Sequence, residues 1–292
     1  MLKNLNQAQQ QRLAFIDFTL QYYGQIKGSD VANRFNTANQ LASQDLTQYQ
    51  ELAPNNLEIN SNLGAGSNNY QRKDGFKPLF DHAPEAVLTG LCRGFGDGFS
   101  YNLEPNELCV DAIRLIHPQT ELIASLMRAI KNRFVLNCEY ISLSSGPSTR
   151  EIVPHAIINN GHRWHTRAFD RQNGQFRDFV CSRFKSLDVV IEHAKEMERR
   201  EQDKQWNKIV NLKLAPHPKL AYPQAIAMDY QMQNGKLNLE LRAALAGYLL
   251  QQWQVDCSKD YQLDHHKYQL ALENPHVLGE VENLMLAPGF NA

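Results

Sequence analysis

The stretch "SDVANRFNTANQLASQDLTQYQELAPNNLEIN", residues 29–60, contains two helical patterns, a short turn between them and a strand pattern after them. The first pattern starts at the predicted N-cap Ser29 and buries Val31, Ala32 and Phe35. The second has its apolar positions at Ala42, Leu46, Tyr49 and Ala53. We predict that this second helix begins at Thr37, because Thr37 and Gln40 fit a capping box, and that it ends before Pro54.

The flanking segments complete a small domain. Residues 7–23, "QAQQQRLAFIDFTLQYY", have a helical apolar period and are followed by Gly24, which predicts an amphipathic helix. After the quoted stretch, "NLEIN" and "YQRKDGF" flank a tip rich in Gly, Ser and Asn, which is typical of a two-stranded wing. Three helices and a wing predict a winged helix-turn-helix domain, to which we assign residues 1–95.

The outward side of the third predicted helix is made of small and amide side chains, which suit groove edges and phosphates. The candidate DNA-binding residues are Thr37, Asn39, Gln40, Ser43, Gln44 and Thr47, with Arg72 and Lys73 from the return strand of the wing. Residues 1–75 carry six basic and six acidic residues, so a small helical bundle that binds protein is the alternative.

A linker is assigned to residues 96–118, and a second domain to residues 119–190. It starts with a short amphipathic helix over residues 121–133. Four strand patterns follow, "FVLNCEYISLSS", "EIVPHAII", "RWHTRAFD" and "QFRDFVCSRF", with the polar segment "GPSTR" taken as a break. Four strands with tight turns predict a small, strongly bent sheet or barrel.

Five arginines lie in the hairpin "GHRWHTRAFDRQNGQFRDFVCSRF", residues 161–184. The surrounding region, residues 121–190, carries ten basic and six acidic residues. Arg163, His165 and Arg167 share one face of a strand. With Arg183 and the hydroxyls of Ser142, Ser144 and Ser145 they predict a receptor for a phosphate or another anion. The alternative is that Asp170 and Asp178 neutralise two of the arginines as cross-strand pairs. We favour that alternative for Arg171 and Arg177, and an anion for Arg167 and Arg183.

In the remaining third, "SLDVVIEHAKEMERREQDKQW", residues 186–206, has a helical pattern, and we assign residues 191–208 as a linker helix and residues 209–292 as a small α/β domain. The formal net charge is -1, and the five cysteines form no CxxC pair. No window approaches about 18 consecutive apolar residues. Together these features predict a cytoplasmic protein without a membrane segment, a metal site or a cofactor. The pair His265-His266 has only Asp264 as a companion carboxylate.

Two segments carry a family resemblance. "PHAIINNGHRWHTRAFDRQNGQFRDFVCSRF", residues 154–184, resembles the WYL domain of the BrxR and CapW type of phage-defence regulators, although only the tryptophan of the eponymous tripeptide is present, in Trp164-His165-Thr166. "NQLASQDLTQYQELAPNNLEIN", residues 39–60, resembles the recognition helix and wing of those regulators.

The resemblance implies an α+β multidomain protein with a winged helix-turn-helix domain, a WYL domain folded as an Sm-like β-barrel and a C-terminal dimerisation domain. It implies a homodimeric repressor of a phage-defence operon. Two helix-turn-helix units on a two-fold axis predict an inverted-repeat operator in double-stranded DNA. An anionic, nucleotide-like ligand would control it. By position, the ligand pocket would be lined by Ser142, His155, His165, Arg167 and Arg183.

Two other functions are considered. The protein could be an accessory factor that docks on a nuclease or helicase and binds single-stranded nucleic acid with its basic middle domain. It could also be a nucleotide hydrolase that uses His165. We find no GxSxG, no paired catalytic carboxylates and no nucleophile spacing, so we expect no catalytic residues.

Overall fold

The computed structural model describes residues 5–59, 69–82 and 118–290, together with residues 87 and 116. The chain forms two compact units. The first comprises Met1–Ala156 and Thr166–His193, and the second comprises Ile157–His165 and Ala194–Ala292. Within the described ranges, no helix has the length and apolar character needed to cross a membrane.

The first unit begins with the expected winged helix-turn-helix elements. The helices are α1 (Gln7–Tyr23), α2 (Gly28–Phe35) and α3 (Asn39–Leu52). The strands β1 (Gln25–Lys27), β2 (Leu57–Ile59) and β3 (Asn69–Arg72) form an antiparallel sheet in the order β1-β3-β2. The two wing strands are therefore as expected, the wing tip at residues 60–68 lies outside the described residues, and β1 is an additional strand that pairs with β3.

Both predicted N-caps in this domain are wrong. Helix α3 begins two residues later than predicted, with Ala38 at the N-cap, because Thr37 still belongs to the end of α2. The Thr37 N–H donates to the Ala32 carbonyl of α2 at 3.0 Å, and Asn36, the residue before Thr37, has a positive φ of 50°. Helix α2 begins at Gly28 instead of after Ser29, and the Asp30 carboxylate accepts the Lys27 N–H at 2.9 Å.

A helix and a five-stranded antiparallel sheet follow in the first unit. The helix is α4 (Thr120–Asn132), and the strands are β4 (Phe134–Ser142), β5 (Gly146–Asn159), β6 (Trp164–Asp170), β7 (Gln175–Val180) and β8 (Phe184–His193). Their order is β7-β6-β5-β4-β8, with β7 and β8 at the two ends, so closure into an Sm-like barrel stays a prediction. The tip of the β5–β6 hairpin, Ile157–His165, groups with the second unit.

Two sequence predictions fail in this sheet. The segment "GPSTR" is not a break, because residues 146–150 pair with β4 as the first part of β5. The segment read as a linker helix begins as strand β8, in which Val189 pairs with Leu136 and Val190 with Val135. The β-branched run from Val189 to Ile191 favours a strand beside the apolar β4, and this outweighs the helical charge pattern after it.

The second unit holds a mixed sheet and its covering helices. Its strands are β9 (Ile209–Pro216), β10 (Leu237–Arg242), β11 (Val255–Asp256) and β12 (Leu270–Leu272), in the order β10-β9-β12-β11. Its helices are α5 (Lys204–Asn207), α6 (Pro223–Asp229) and α7 (Ala243–Gln252). Of the predicted linker helix over residues 191–208, only α5 is α-helical, and short 3-10 turns stand at Glu196–Glu198 and Arg200–Gln202. The core includes Leu212, Leu214, Ala246, Leu250 and Leu270.

Candidate nucleic-acid and anion sites

The outer face of α3 carries a continuous row of exposed polar side chains. The exposed residues are Asn39, Gln40, Ser43, Gln44 and Thr47. Thr37 is partly buried in the turn that precedes the helix. The opposite face, with Ala42, Leu46 and Tyr49, is buried as predicted. The structure therefore brings five of the predicted DNA-binding residues together on one helical surface.

A buried ion pair holds α3 against α1. Arg12 on α1 donates to Asp45 on α3 through Nε to Oδ2 at 2.6 Å and through Nη2 to Oδ1 at 3.2 Å. Asp45 is 1% exposed. A bidentate pair of this kind fixes direction as well as distance, so it sets the angle at which the exposed row on α3 is presented.

A second buried carboxylate ties α3 to the segment after the wing. Asp17 on α1 accepts hydrogen bonds from the Tyr49 hydroxyl, from the N–H groups of Leu79 and Phe80 at 3.0 and 3.1 Å, and lies 3.1 Å from Nε2 of His82. Burial and the nearby Asp17 charge raise the pKa of the Tyr49 phenol, which stays a donor. The network therefore joins α1 to α3 and to residues 79–82.

The two basic residues at the end of the wing's return strand make contacts within the first unit. The Arg72 guanidinium lies 4.9 Å from the Phe76 ring centre and 3.7 Å from the Glu121 carboxylate on α4. Burial and the neighbouring Arg128 lower the pKa of Arg72. Lys73 donates from Nζ to the Pro54 carbonyl at 3.0 Å. Their assignment as DNA contacts stays a prediction.

Helix α4 is bonded to the C-terminal end of α1. Arg128 donates from Nη1 to the Gln21 carbonyl at 2.7 Å and from Nη2 to Glu121 at 2.6 Å. Asn132 donates to the Tyr23 carbonyl at 3.3 Å. A cation at a helix C-terminus is favourable because it neutralises the carbonyls that lack helical partners. These hydrogen bonds between α4 and α1 could not be predicted from the sequence, since Arg128 and Gln21 are 107 residues apart.

The arginine hairpin is more buried than its composition suggests. All seven residues of β6 are buried, and Arg167 is 3% exposed. Arg167 lies 3.4 Å from Asp178 on the adjacent β7, and Asp170 pairs with Arg150 at 2.7 Å. Cross-strand pairing is thus present for Arg167. Arg171, near the turn, pairs with Glu151 and Glu192 at 3.5 and 2.8 Å instead of with an aspartate.

His155 and Arg167 share one face of the sheet. Arg171 N–H bonds to the Glu151 carbonyl at 3.0 Å, and the Thr166 hydroxyl bonds to the Ala156 carbonyl at the same distance. This antiparallel register puts residue 155 opposite residue 167. The His155 ring is partly exposed and lies edge-on to Phe176 at 5.7 Å. His155, Arg167 and Asp178 therefore form a compact polar cluster beside an aromatic ring.

Three of the other predicted ligand residues, Ser142, Ser144 and Arg183, lie outside that cluster. Ser142 and Ser144 hydrogen-bond to each other at 3.1 Å in the turn between β4 and β5, where Ser142 pairs with Gly146. Along a straight strand, residue 146 is about 30 Å from residue 155. Arg183 lies in the 3-10 turn Cys181–Arg183 after β7, outside the hairpin strands. His165, two residues before Arg167 on β6, groups with the second unit, and its ring lies 5.0 Å from that of Tyr248.

Comparisons with known proteins cover most of the chain. The winged helix-turn-helix domain model of the BrxR transcriptional regulator matches residues 8–86, the WYL domain model residues 121–189, and the BrxR C-terminal dimerization domain model residues 209–278. The DNA-binding transcriptional repressors CapW of Escherichia coli and Pseudomonas aeruginosa are each 32% identical over 91% of this chain and 89% of their own length. The CapW protein of Stenotrophomonas maltophilia is 35% identical over 83% of this chain and 82% of its own.

Proposed function

Since this chain belongs to the BrxR and CapW family of transcriptional regulators, we propose that it is a DNA-binding transcriptional repressor that acts as a homodimer. The observation that carries the proposal is the exposed polar face of α3, which the buried Arg12–Asp45 pair holds in a fixed direction. Such a regulator works on the chromosome, so we expect it in the cytoplasm. The cysteines Cys138, Cys181 and Cys257 are free and buried, in keeping with that location.

The chemistry of α3 fits the major groove. The amides of Asn39, Gln40 and Gln44 can each make bidentate hydrogen bonds to adenine, and the hydroxyls of Ser43 and Thr47 can bond to bases or phosphates. Few cations accompany them, so one domain would bind weakly. Two copies related by a two-fold axis double the contacts and require an inverted repeat with half-sites about one helical turn apart.

We place the anion site at His155 and Arg167 on the sheet of the first unit. A phosphate of a nucleotide or nucleic-acid fragment would enter past the partly exposed His155 and share the Arg167 guanidinium with Asp178. Phe176 beside His155 offers a surface for a base. Ser142, Ser144, His165 and Arg183 stay predictions as ligand contacts.

Helix α4 is the proposed route from ligand to DNA. It packs on β4 and β8 of the sheet and on α1 of the winged domain. A ligand that shifts the sheet would move α4, and Arg128 would pass that movement to the end of α1 and so to α3. Coupling of about 1–3 kcal/mol between the two sites is typical of such regulators. This route replaces the expected linker helix, whose residues 191–208 form the end of a strand, short 3-10 turns and the four-residue helix α5.

By analogy with the family, we also propose that the protein represses the genes of a phage-defence operon. The competing function is an accessory protein that binds single strands with the middle sheet. Fluorescence anisotropy of the full chain with matched double- and single-stranded oligonucleotides separates the two. A preference for the double-stranded oligonucleotide that is lost in Gln44→Ala would support the repressor function. Preference for single strands that is lost in Arg167→Met and kept in Gln44→Ala would support the accessory function.

A further inference from the structure

Three consecutive side chains in the second unit gather metal-binding atoms on the loop between β11 and β12. Asp264, His265 and His266 each offer one donor atom, and these atoms lie within 4.8 Å of one another. The rings of His265 and His266 are 4.3 Å apart between centres. His265 is partly buried, whereas Asp264 and His266 are exposed. From the sequence we predict no metal site, and Asp264 is noted there only as the companion carboxylate of the His265-His266 pair.

The backbone of this loop is fixed by hydrogen bonds that leave the three donors available. Asp256 at the end of β11 is fully buried. It accepts the N–H and hydroxyl of Ser258 at 2.7 and 2.6 Å and the N–H of Leu263 at 2.9 Å. The Ser258 hydroxyl accepts the Gln262 N–H at 2.8 Å. Oδ1 of Asp264 accepts the N–H of His266 at 3.0 Å, so its other carboxylate oxygen can face an ion.

A buried histidine supports the ring of His265 from behind. The His217 ring is fully buried and stacks on His265 with centres 5.9 Å apart and planes 26° from parallel. Nδ1 of His217 accepts the Lys219 N–H at 3.2 Å, and Nε2 lies 3.2 Å from Asp256. Both nitrogens are engaged, so His217 is a support for the neighbouring ring and not a ligand itself.

We propose that Asp264, His265 and His266 bind one divalent transition-metal ion of the zinc class. Two neutral imidazole nitrogens and one carboxylate oxygen are a donor set that such ions prefer, with water as a fourth ligand. Bonds of about 2.0–2.2 Å to a tetrahedral ion bring donor atoms to about 3.3 Å from one another. The exposed Asp264 and His266 side chains can rotate to bring their donor atoms from within 4.8 Å to that shorter spacing, while His217 keeps the His265 ring in place.

A cobalt titration of the full chain without a histidine tag tests the site. Co²⁺ is added to protein stripped with chelator, visible absorption reports coordination, and Zn²⁺ is added last as competitor. We expect one ion per chain, displaced by zinc. His265→Ala and His266→Ala should each weaken binding by about tenfold or more. The matched control is His276→Ala, an exposed histidine of the same unit, which should bind as the wild type does.

A second variant separates ligand loss from loop damage. Asp264→Asn keeps an oxygen that can accept the His266 N–H but removes the charged donor, so it should weaken binding while the melting temperature without metal stays unchanged. The proposal is overturned if cobalt does not bind, or if His265→Ala and His266→Ala bind as tightly as the wild type. It is also overturned if His276→Ala loses binding to the same extent.

Discussion

Arg12 and Asp45 form a buried, two-pronged ion pair between α1 and α3, with Nε to Oδ2 at 2.6 Å and Nη2 to Oδ1 at 3.2 Å. The pair joins two helices that are separated by 33 residues in the chain. Because it is shielded from water, the direction of α3 depends on both charges being present.

Removing one partner of this pair should be far more harmful than removing both. Arg12→Met leaves the Asp45 charge buried and alone, which we expect to lower the free energy of unfolding by about 3–5 kcal/mol. The double variant Arg12→Met/Asp45→Leu should recover most of that loss. Urea unfolding of the full chain measures both. A double variant as unstable as Arg12→Met would show that the charge itself is not the cause.

The exposed face of α3 should carry sequence recognition. Gln44→Ala removes an amide that can bond to a base edge, and we expect it to weaken operator binding by about 1–3 kcal/mol. Ser43→Ala should have a smaller effect in the same direction. Gln7→Ala, at an exposed position of α1, is the matched control and should leave affinity unchanged. Equal affinity of Gln44→Ala and Gln7→Ala would exclude this face from recognition.

Arg128 should influence DNA binding without touching DNA. Arg128→Met removes the hydrogen bonds to the Gln21 carbonyl and to Glu121, and we expect about 1.5–3 kcal/mol less stability and weaker operator binding. Arg128→Lys keeps the positive charge near the end of α1 and should retain part of both. Urea unfolding and fluorescence anisotropy measure the two effects. Unchanged operator affinity in Arg128→Met would remove α4 from the proposed route.

Arg167 should be needed for the response to an anion and not for DNA binding. A panel of nucleoside monophosphates and short oligonucleotides is screened for a rise in melting temperature. The compound that raises it should have no effect on Arg167→Met, which should still bind duplex DNA. Arg177→Met, an exposed arginine of the same hairpin, should respond as the wild type does. A full response in Arg167→Met would place the anion elsewhere.

Asp256 should make the free energy of unfolding depend on pH in the acidic range. Burial acts to raise its pKa, but hydrogen bonds from Ser258, Leu263 and His217 outweigh it and hold the pKa below the usual range. Its contribution is therefore present above about pH 4 and is lost as the pH falls through the lowered value. Ser258→Ala should cost about 1.5–3 kcal/mol at pH 7, and because it brings the folded-state pKa of Asp256 closer to the unfolded value, the acid-dependent loss of stability should become smaller. Urea unfolding between pH 7 and pH 3 checks both; identical curves would contradict it.

Local patterns predicted the winged domain well, because each element there has its own signal. The buried residues Ala42, Leu46 and Tyr49 follow directly from helical periodicity. Strand β8 was misread because the charged residues after Ile191 have a helical pattern, whereas pairing with β4 decides the structure. The pairings Arg12–Asp45, Arg128–Gln21 and His217–His265 join distant residues, so only the folded chain shows them.

The central claim, that this protein is a sequence-specific repressor, is tested most directly by selection from genomic DNA. Purified protein is mixed with sheared DNA of its source at about 0.1 M salt, where phosphate contacts alone still permit non-specific binding, and the bound fragments are sequenced. We expect enrichment of one inverted repeat close to the protein's own promoter, and loss of that enrichment with Gln44→Ala. Uniform recovery of fragments, or a pattern that Gln44→Ala leaves unchanged, would contradict the account.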